Sequence, residues 1–318
     1  MRAKSKAHHT FKAVAEEFLA LKNKTLRPRS YPDVERHLLK HAKVLHGLQV
    51  GSITKGEISS CLNTVEKNSG EVTRNRVRTT LSTFFSWMIQ EDYAVVNPVI
   101  GTRRSAERSR ERVLSREEIR LIWHALPDDH FGAIMKLLAI TGQREAEIAG
   151  LRRSELNDDP ETIKLPGSRT KNKVEHWVPI PLAAQAIIAA QPQRASSSGE
   201  LRDLFFGYGA GPFSGWSKSK ADLDAAIAKA NKGKKLLHWT PHDLRRTFAT
   251  HMNELGIAPP HIVEAILNHI SGHKRGVAGI YNRAQYLPEK RAALARWADQ
   301  LSAWIEGRET NVTTLRRA

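Results

Sequence analysis

Chemistry in this chain gathers around one heptapeptide, Thr240-Pro241-His242-Asp243-Leu244-Arg245-Arg246. Thr240 suits a helix N-cap, Pro241 the first helical position, and Asp243 complements the positive end of the helix dipole. His242 and Arg245, three apart, then share one helical face. An imidazole and a guanidinium beside free backbone N–H groups make an anion site. Taken alone, the pair is equally that of a satisfied histidine and a surface arginine.

Further candidates lie on both sides of it. Upstream, Thr141-Gly142-Gln143-Arg144-Glu145-Ala146-Glu147 puts Arg144 just past a helix end and Glu147 one turn on. Downstream, Leu267-Asn268-His269 is followed by Ala278-Gly279-Ile280-Tyr281-Asn282-Arg283. A basic stretch, Arg169-Thr170-Lys171-Asn172-Lys173, lies between the two arginine motifs. The order Arg144, Lys171, His242, Arg245, His269, Tyr281 resembles the tyrosine recombinase (phage integrase) family. That family's catalytic set runs Arg, Lys, His-x-x-Arg, His or Trp, then Tyr. Any one piece is unspecific, whereas the ordered set of six is specific. The motifs cover roughly the last two hundred residues, and the helical amino-terminal part matches by size and position alone.

The resemblance implies that Tyr281 attacks a DNA phosphate, forming a 3′-phosphotyrosyl link and freeing a 5′-hydroxyl. A 5′-hydroxyl of a partner duplex then reverses the step, with neither cofactor nor metal. A phosphodiester under attack gains negative charge, which fixed donors must meet. Arg144 and Arg245 suit that clamp because a planar guanidinium grips two oxygens and does not titrate. A phenol with an ordinary pKa of about 10 costs about 4 kcal/mol to ionise at neutral pH. His242 and His269 are the groups able to take its proton.

Lys171 matches the family's mobile general-acid lysine, with Lys173 as its near rival, and Tyr286 is the rival nucleophile to Tyr281. Glu147 matches an acidic position that orients its neighbours. The chain departs from the commonest form in a longer Ser271-Gly272-His273-Lys274-Arg275-Gly276 segment, which reads as a Gly-hinged loop and offers His273 as an extra phosphate contact. Partners implied are double-stranded DNA attachment sites, three further copies in a homotetrameric synapse, and a DNA-bending helper protein. A type IB topoisomerase shares the chemistry. A non-catalytic helix-turn-helix-like DNA-binding protein is the rival from another class, since residues 242–255 and 259–269 read as two helices joined at Gly256.

The elements that must hold these groups are mostly helical. Phe11, Val14, Ala15, Phe18 and Leu19 fall on one helical face behind Thr10 as N-cap. Helices are predicted after Pro28, over 55–65 and over 72–90, making a helical core-type DNA-binding domain of residues 1–102. Residues 103–112 carry five Arg and two Glu with almost nothing apolar, and read as an exposed basic linker. Order restarts with a capping box, Ser115 with Glu118, and a staple, Leu114 with Ile119. The catalytic domain is predicted over 113–308, with a polar tail at 309–318.

Within it, helices are expected over 117–125, 131–140 (ended by Gly142) and 144–151. A hairpin with a basic tip spans 162–180, a helix follows over 182–190, Leu204-Phe205-Phe206 is a short strand, and another helix covers 222–230. Leu294, Trp297, Ala298, Leu301, Trp304 and Ile305 form an apolar helical stripe, either packed on their own domain or exchanged with a neighbour. The fold expected is mainly α with a small antiparallel β-sheet, as a two-domain clamp on DNA. Several integrases carry a further arm-binding amino-terminal domain; this sequence starts directly at the core-type helices, so that domain is either absent or lies outside this fragment.

Composition agrees with a polyanionic partner: 50 Lys plus Arg face 33 Asp plus Glu, a net charge of +17. No apolar run approaches the roughly 18 residues of a spanning helix, and the basic first ten residues lack the apolar core of a secretory signal. One cysteine, Cys61, can form no intrachain disulfide, so the cytoplasm is the expected compartment. His238 and His242 are four apart, yet Pro241 and the lack of nearby acidic or cysteine partners argue against a metal.

Overall fold

A computed structural model describes residues 8–27, 30–107, 111–156, 158–195, 199–269 and 284–308. The chain divides into two compact units at Arg110 and Glu111.

The first unit is helical. Helix α1 (Phe11–Thr25) starts where the Thr10 side chain accepts the Ala13 N–H, and it buries all five residues of the expected apolar face. Helix α2 (Tyr31–Glu35) runs on into a π-helical turn, Arg36–His41. The predicted helices over 55–65 and 72–90 are one span, α3 (Lys55–Gln90), broken only at Gly70, where φ is +83°. Glycine allows that left-handed kink without the clash a Cβ would bring. Phe11, Phe18, Phe84 and Phe85 fill the centre, the rings of Phe11 and Phe84 meeting edge-on at 5.3 Å.

The expected linker is exposed at Arg103, Arg104, Glu107 and Glu111, but its first residues are anchored. Ser105 is only 5% exposed. Its hydroxyl donates to Glu66 Oε1 at 2.6 Å, and its backbone exchanges hydrogen bonds with the Asn75 side chain. The buried Arg74 donates to the Arg103 carbonyl. Residues 103–105 therefore belong to the first unit. Polar side chains on α3 hold them, which a search for apolar anchors does not detect. At the other end Arg112 pairs with Glu118 in the second unit.

The second unit is built around helix α5 (His130–Thr141), buried along nearly its whole length. Helix α4 (Arg116–Ala125) opens with the expected Ser115–Glu118 capping box. Gly142 ends α5 at φ +64°, and Arg144 caps the short α6 (Glu145–Ala149). Strands β1 (Thr162–Leu165) and β2 (His176–Pro179) pair antiparallel, Thr162 opposite Pro179 and Leu165 opposite His176. The basic tip thus projects from a two-stranded sheet. Helices α7 (Leu182–Ala189), α8 (Trp216–Ala230), α9 (Pro241–Glu254), α10 (Pro260–Ile266) and α11 (Leu287–Glu306) complete the unit.

Two predicted elements are corrected. Leu204 makes a single bridge to Arg152, not a strand. Phe205 and Phe206 are both buried instead of alternating, and Gly207 follows at φ +94°, so extended pairing stops there. Helix α8 begins at Trp216, six residues before the predicted start. The Trp216 ring is anchored on Phe213 and Phe131, and Gly215 supplies the left-handed turn into the helix.

The α11 stripe is buried within its own unit, with Leu294, Trp297, Leu301 and Trp304 all at most 5% exposed. Trp297 donates its indole N–H to the Ala139 carbonyl of α5 at 2.9 Å and meets Phe248 of α9 edge-on. One side chain therefore ties α11 to α5, whose end leads into Arg144, and to α9, which carries Arg245, and burying a side chain of this kind stabilises by about 1.5–3 kcal/mol.

Candidate active site

Helix termini position the two arginines. Arg144 stands at the N-cap of α6, where its backbone N–H donates to Glu147 Oε2 at 3.1 Å and its Nη1 donates to Glu147 Oε1 at 2.9 Å. Glu147 is 3% exposed, so a buried carboxylate sets the direction of the guanidinium. Its Nη2 donates to the Asn268 carbonyl at 3.2 Å.

Arg245, at the start of the second turn of α9, donates from Nη1 to the Gly142 carbonyl at 2.8 Å and from Nη2 to the Leu267 carbonyl. The two arginines thus end on adjacent carbonyls of one short segment, Leu267 and Asn268. Arg245 is 5% exposed. Burial first, and the neighbouring Arg144 charge second, push its pKa down to about 10.

A floor of uncharged polar groups lies under this pair. Gln143, 1% exposed, donates to the Thr141 and Ile266 carbonyls, both at 2.9 Å. Its Oε1 can only accept, so His176 Nε2, 3.1 Å away, carries the proton between them. Burial, then the Lys290 charge, hold the His176 imidazole well below its ordinary pKa. A neutral ring there avoids a third cation beneath two guanidiniums.

The two candidate imidazoles face the same charges. His242, exposed at the second position of α9, is lowered by burial, then by Arg245 and Arg246. His269 follows α10, and its Nδ1 lies 3.3 Å from Glu264 Oε1. The carboxylate accepts, so the neutral ring donates from Nδ1 and keeps its lone pair on Nε2. Burial and the Arg245 charge lower His269, while Glu264 opposes them. Both rings are set to be neutral, proton-accepting groups near pH 7.

Lys171 is exposed on the hairpin tip between anchored neighbours. Arg169 donates to the Glu147 carbonyl at 2.8 Å and to the Gly150 carbonyl, and ion-pairs with the buried Glu155 at 3.0 Å. Asn172 Nδ2 donates to Asn268 Oδ1 at 2.7 Å. The tip therefore reaches the residue whose carbonyl receives Arg144. Lys173, the rival, sits exposed at φ +60°.

Tyr281 and His273 lie outside the described residues. Tyr286, the rival nucleophile, is half-buried at the start of α11 with its ring edge-on to His261 at 5.7 Å. Among the described residues no group of three or more His, Cys, Asp or Glu side chains is placed to hold a metal ion. Among them, too, no helix is long and apolar enough to cross a membrane.

Reading the sequence gave no part to Asn268, Asn172, Glu264, Gln143 or His176. Asn268 and Asn172 meet across 96 positions, and spacing carries no sign of such a pair. The one local hint is Asn268 itself, since asparagine tolerates the left-handed φ of +49° found there.

The half-buried Arg144 and the buried Arg245, with two imidazoles and a lysine-tipped hairpin alongside, form an arrangement able to grip a tetrahedral anion at two points. Comparison with known proteins places that site in a family. The phage integrase family model matches residues 112–286, and the phage integrase central domain matches 11–105. Prophage integrase IntZ of Escherichia coli K12 is 29% identical over 308 residues, covering 93% of this chain and 72% of IntZ. Prophage integrase IntA of the same strain is 33% identical over 172 residues, 54% of this chain but only 38% of IntA. A lambda integrase tetramer bound to a Holliday junction shares the fold, with a TM-score of 0.63 and 20% identity over 85% of this chain and 80% of that one. The chain belongs to the phage integrase family and is an enzyme of its tyrosine-recombinase class.

Proposed function

We propose that this protein is a site-specific DNA recombinase that cuts and rejoins duplex DNA through a covalent bond between Tyr281 and a 3′-phosphate. Arg144 and Arg245 hold the scissile phosphate and meet the charge that develops as the phenol oxygen adds. His242 and His269 take up the phenolic proton. Lys171 gives a proton to the departing 5′-oxygen, so no charged alkoxide is released. The bond energy stays in the phosphotyrosyl ester, and a 5′-hydroxyl from a second duplex reverses the step. Partners are two DNA attachment sites, a tetramer of this chain assembled on them and a DNA-bending helper protein, and the compartment is the cytoplasm.

The observation that carries the reading is the convergence of Arg144 and Arg245 on the neighbouring carbonyls of Asn268 and Leu267. Two guanidiniums brought together, one buried and one half-buried, with Glu147 as the carboxylate paired to Arg144, suit an added anion between them. A nicked duplex that loses its short 5′ fragment on cleavage traps the covalent complex and tests the proposal. Wild type should accumulate a protein–DNA adduct in magnesium-free buffer, and Tyr281→Phe should give none. An adduct from Tyr281→Phe, or none from wild type on any attachment site that it binds, overturns the assignment.

A further inference from the structure

The hairpin that carries Lys171 is held on both flanks, and the two flanks are held differently. Toward the strand, Arg169 reaches the carbonyls of Glu147 and Gly150, and Thr170, fully buried, donates to the Val174 carbonyl at 2.7 Å. These contacts fix the base of the tip. Beyond Lys171, Asn172 leaves its own hairpin: its Nδ2 donates to Asn268 Oδ1 at 2.7 Å, and the Asn268 amide faces Asn172 Oδ1 at 3.3 Å. Asn268 lies between the carbonyl that binds Arg245 and the imidazole of His269, and its own carbonyl takes Arg144.

We propose that the Asn172–Asn268 amide pair is a positioning clasp that sets the Lys171 ammonium at the leaving 5′-oxygen and ties it to the segment bearing both arginine contacts and His269. The clasp rests on reading Lys171 as the general acid. Neither asparagine touches the reacting atoms, so both are positioning residues. In the step they serve, the phenol oxygen forms a bond to phosphorus, the bond from phosphorus to the 5′-oxygen breaks, and the Lys171 proton passes to that oxygen. Losing the clasp leaves the arginine clamp intact, because Arg144 and Arg245 bind backbone carbonyls that no side-chain change at 172 or 268 removes. The cost falls on proton delivery alone.

A substrate whose bridging 5′-oxygen is replaced by sulfur separates these effects, since a thiolate departs without a proton. Asn172→Ala is compared with wild type on both substrates in single-turnover cleavage. Asn268→Gly is the second variant, because glycine keeps the left-handed backbone at 268 without strain. Each variant should cleave the oxygen substrate about 10- to 100-fold more slowly and the sulfur substrate within about threefold of wild type. The double variant should be no slower than the worse single one. Equal slowing on both substrates would mean a general structural role and overturn the clasp, as would wild-type rates on both. Lys171→Ala is run in parallel. If sulfur fails to rescue Lys171→Ala while Asn172→Ala is rescued, the reading of Lys171 as the acid fails and another group is being positioned; if Lys171→Ala alone is rescued, the clasp fails and the acid stands.

Discussion

Replacing Arg245 by lysine tests the buried clamp, because it keeps the charge and changes both its geometry and its titration. Arg245 spends two N–H groups on the Gly142 and Leu267 carbonyls. A guanidinium has five N–H donors, so three remain for phosphate, whereas a lysine that satisfied the same carbonyls would keep one. Loss of one transition-state donor is worth on the order of 10²- to 10³-fold in rate, and Arg245→Lys should lose about that much at pH 7. The titration adds a second effect. Burial and Arg144 bring the Arg245 guanidinium from 12.5 to about 10. The same burial and the same Arg144 charge lower an ammonium that already starts below a guanidinium, near 10.4. Between pH 7 and pH 9 the lysine variant should therefore lose further rate relative to wild type as its ammonium discharges. Single-turnover cleavage of the nicked duplex across pH 6–9 measures both. Wild-type rates for Arg245→Lys, or a loss with no extra fall in alkali, would refute the proposed role of this buried side chain as a phosphate clamp.

Glu264 opposes the charges that lower His269, so Glu264→Gln should lower that imidazole further and move the acid limb of the cleavage profile to lower pH. A limb that stays or moves upward contradicts the pairing. Gly142→Ala should destabilise the protein by about 2–4 kcal/mol, since φ is +64° and a Cβ would lie 2.5 Å from the Phe248 ring. Denaturant midpoints check this, and a change under half a kcal/mol would sink the argument. His176 is held neutral when folded but takes a proton when unfolded below about pH 6.5, so stability is full above that pH and falls as pH drops. His176→Gln, which keeps a donor toward Gln143, should reduce the fall between pH 7.5 and 5.5, where one such histidine contributes up to about 1.4 kcal/mol per pH unit.

Local patterns told most of the fold. The apolar face of α1, the Ser115–Glu118 capping box, the Gly142 stop and the Thr240–Pro241 helix start depend on neighbours within a few residues, so the sequence displays them. Elements whose limits depend on distant contacts were misread. Trp216 starts α8 because Phe131 receives its ring, and Ser105 is held by Glu66 and Asn75 from across the first unit. The site divides in the same way. Arginine, histidine and lysine announce themselves by type and order, but Gln143, His176 and the two asparagines act through contacts spanning 33 to 123 positions. Residue order alone could identify the groups proposed for the chemistry, not the neutral residues that aim them.

Which oxygen carries the DNA decides the account most directly. The covalent complex trapped on the nicked duplex should be digested with trypsin and nuclease, and the peptide bearing residual nucleotide identified by mass. Attachment at Tyr281 is the predicted result. Nucleotide on Tyr286, on a serine or on any other side chain would contradict the proposed centre, whatever the activity of the enzyme.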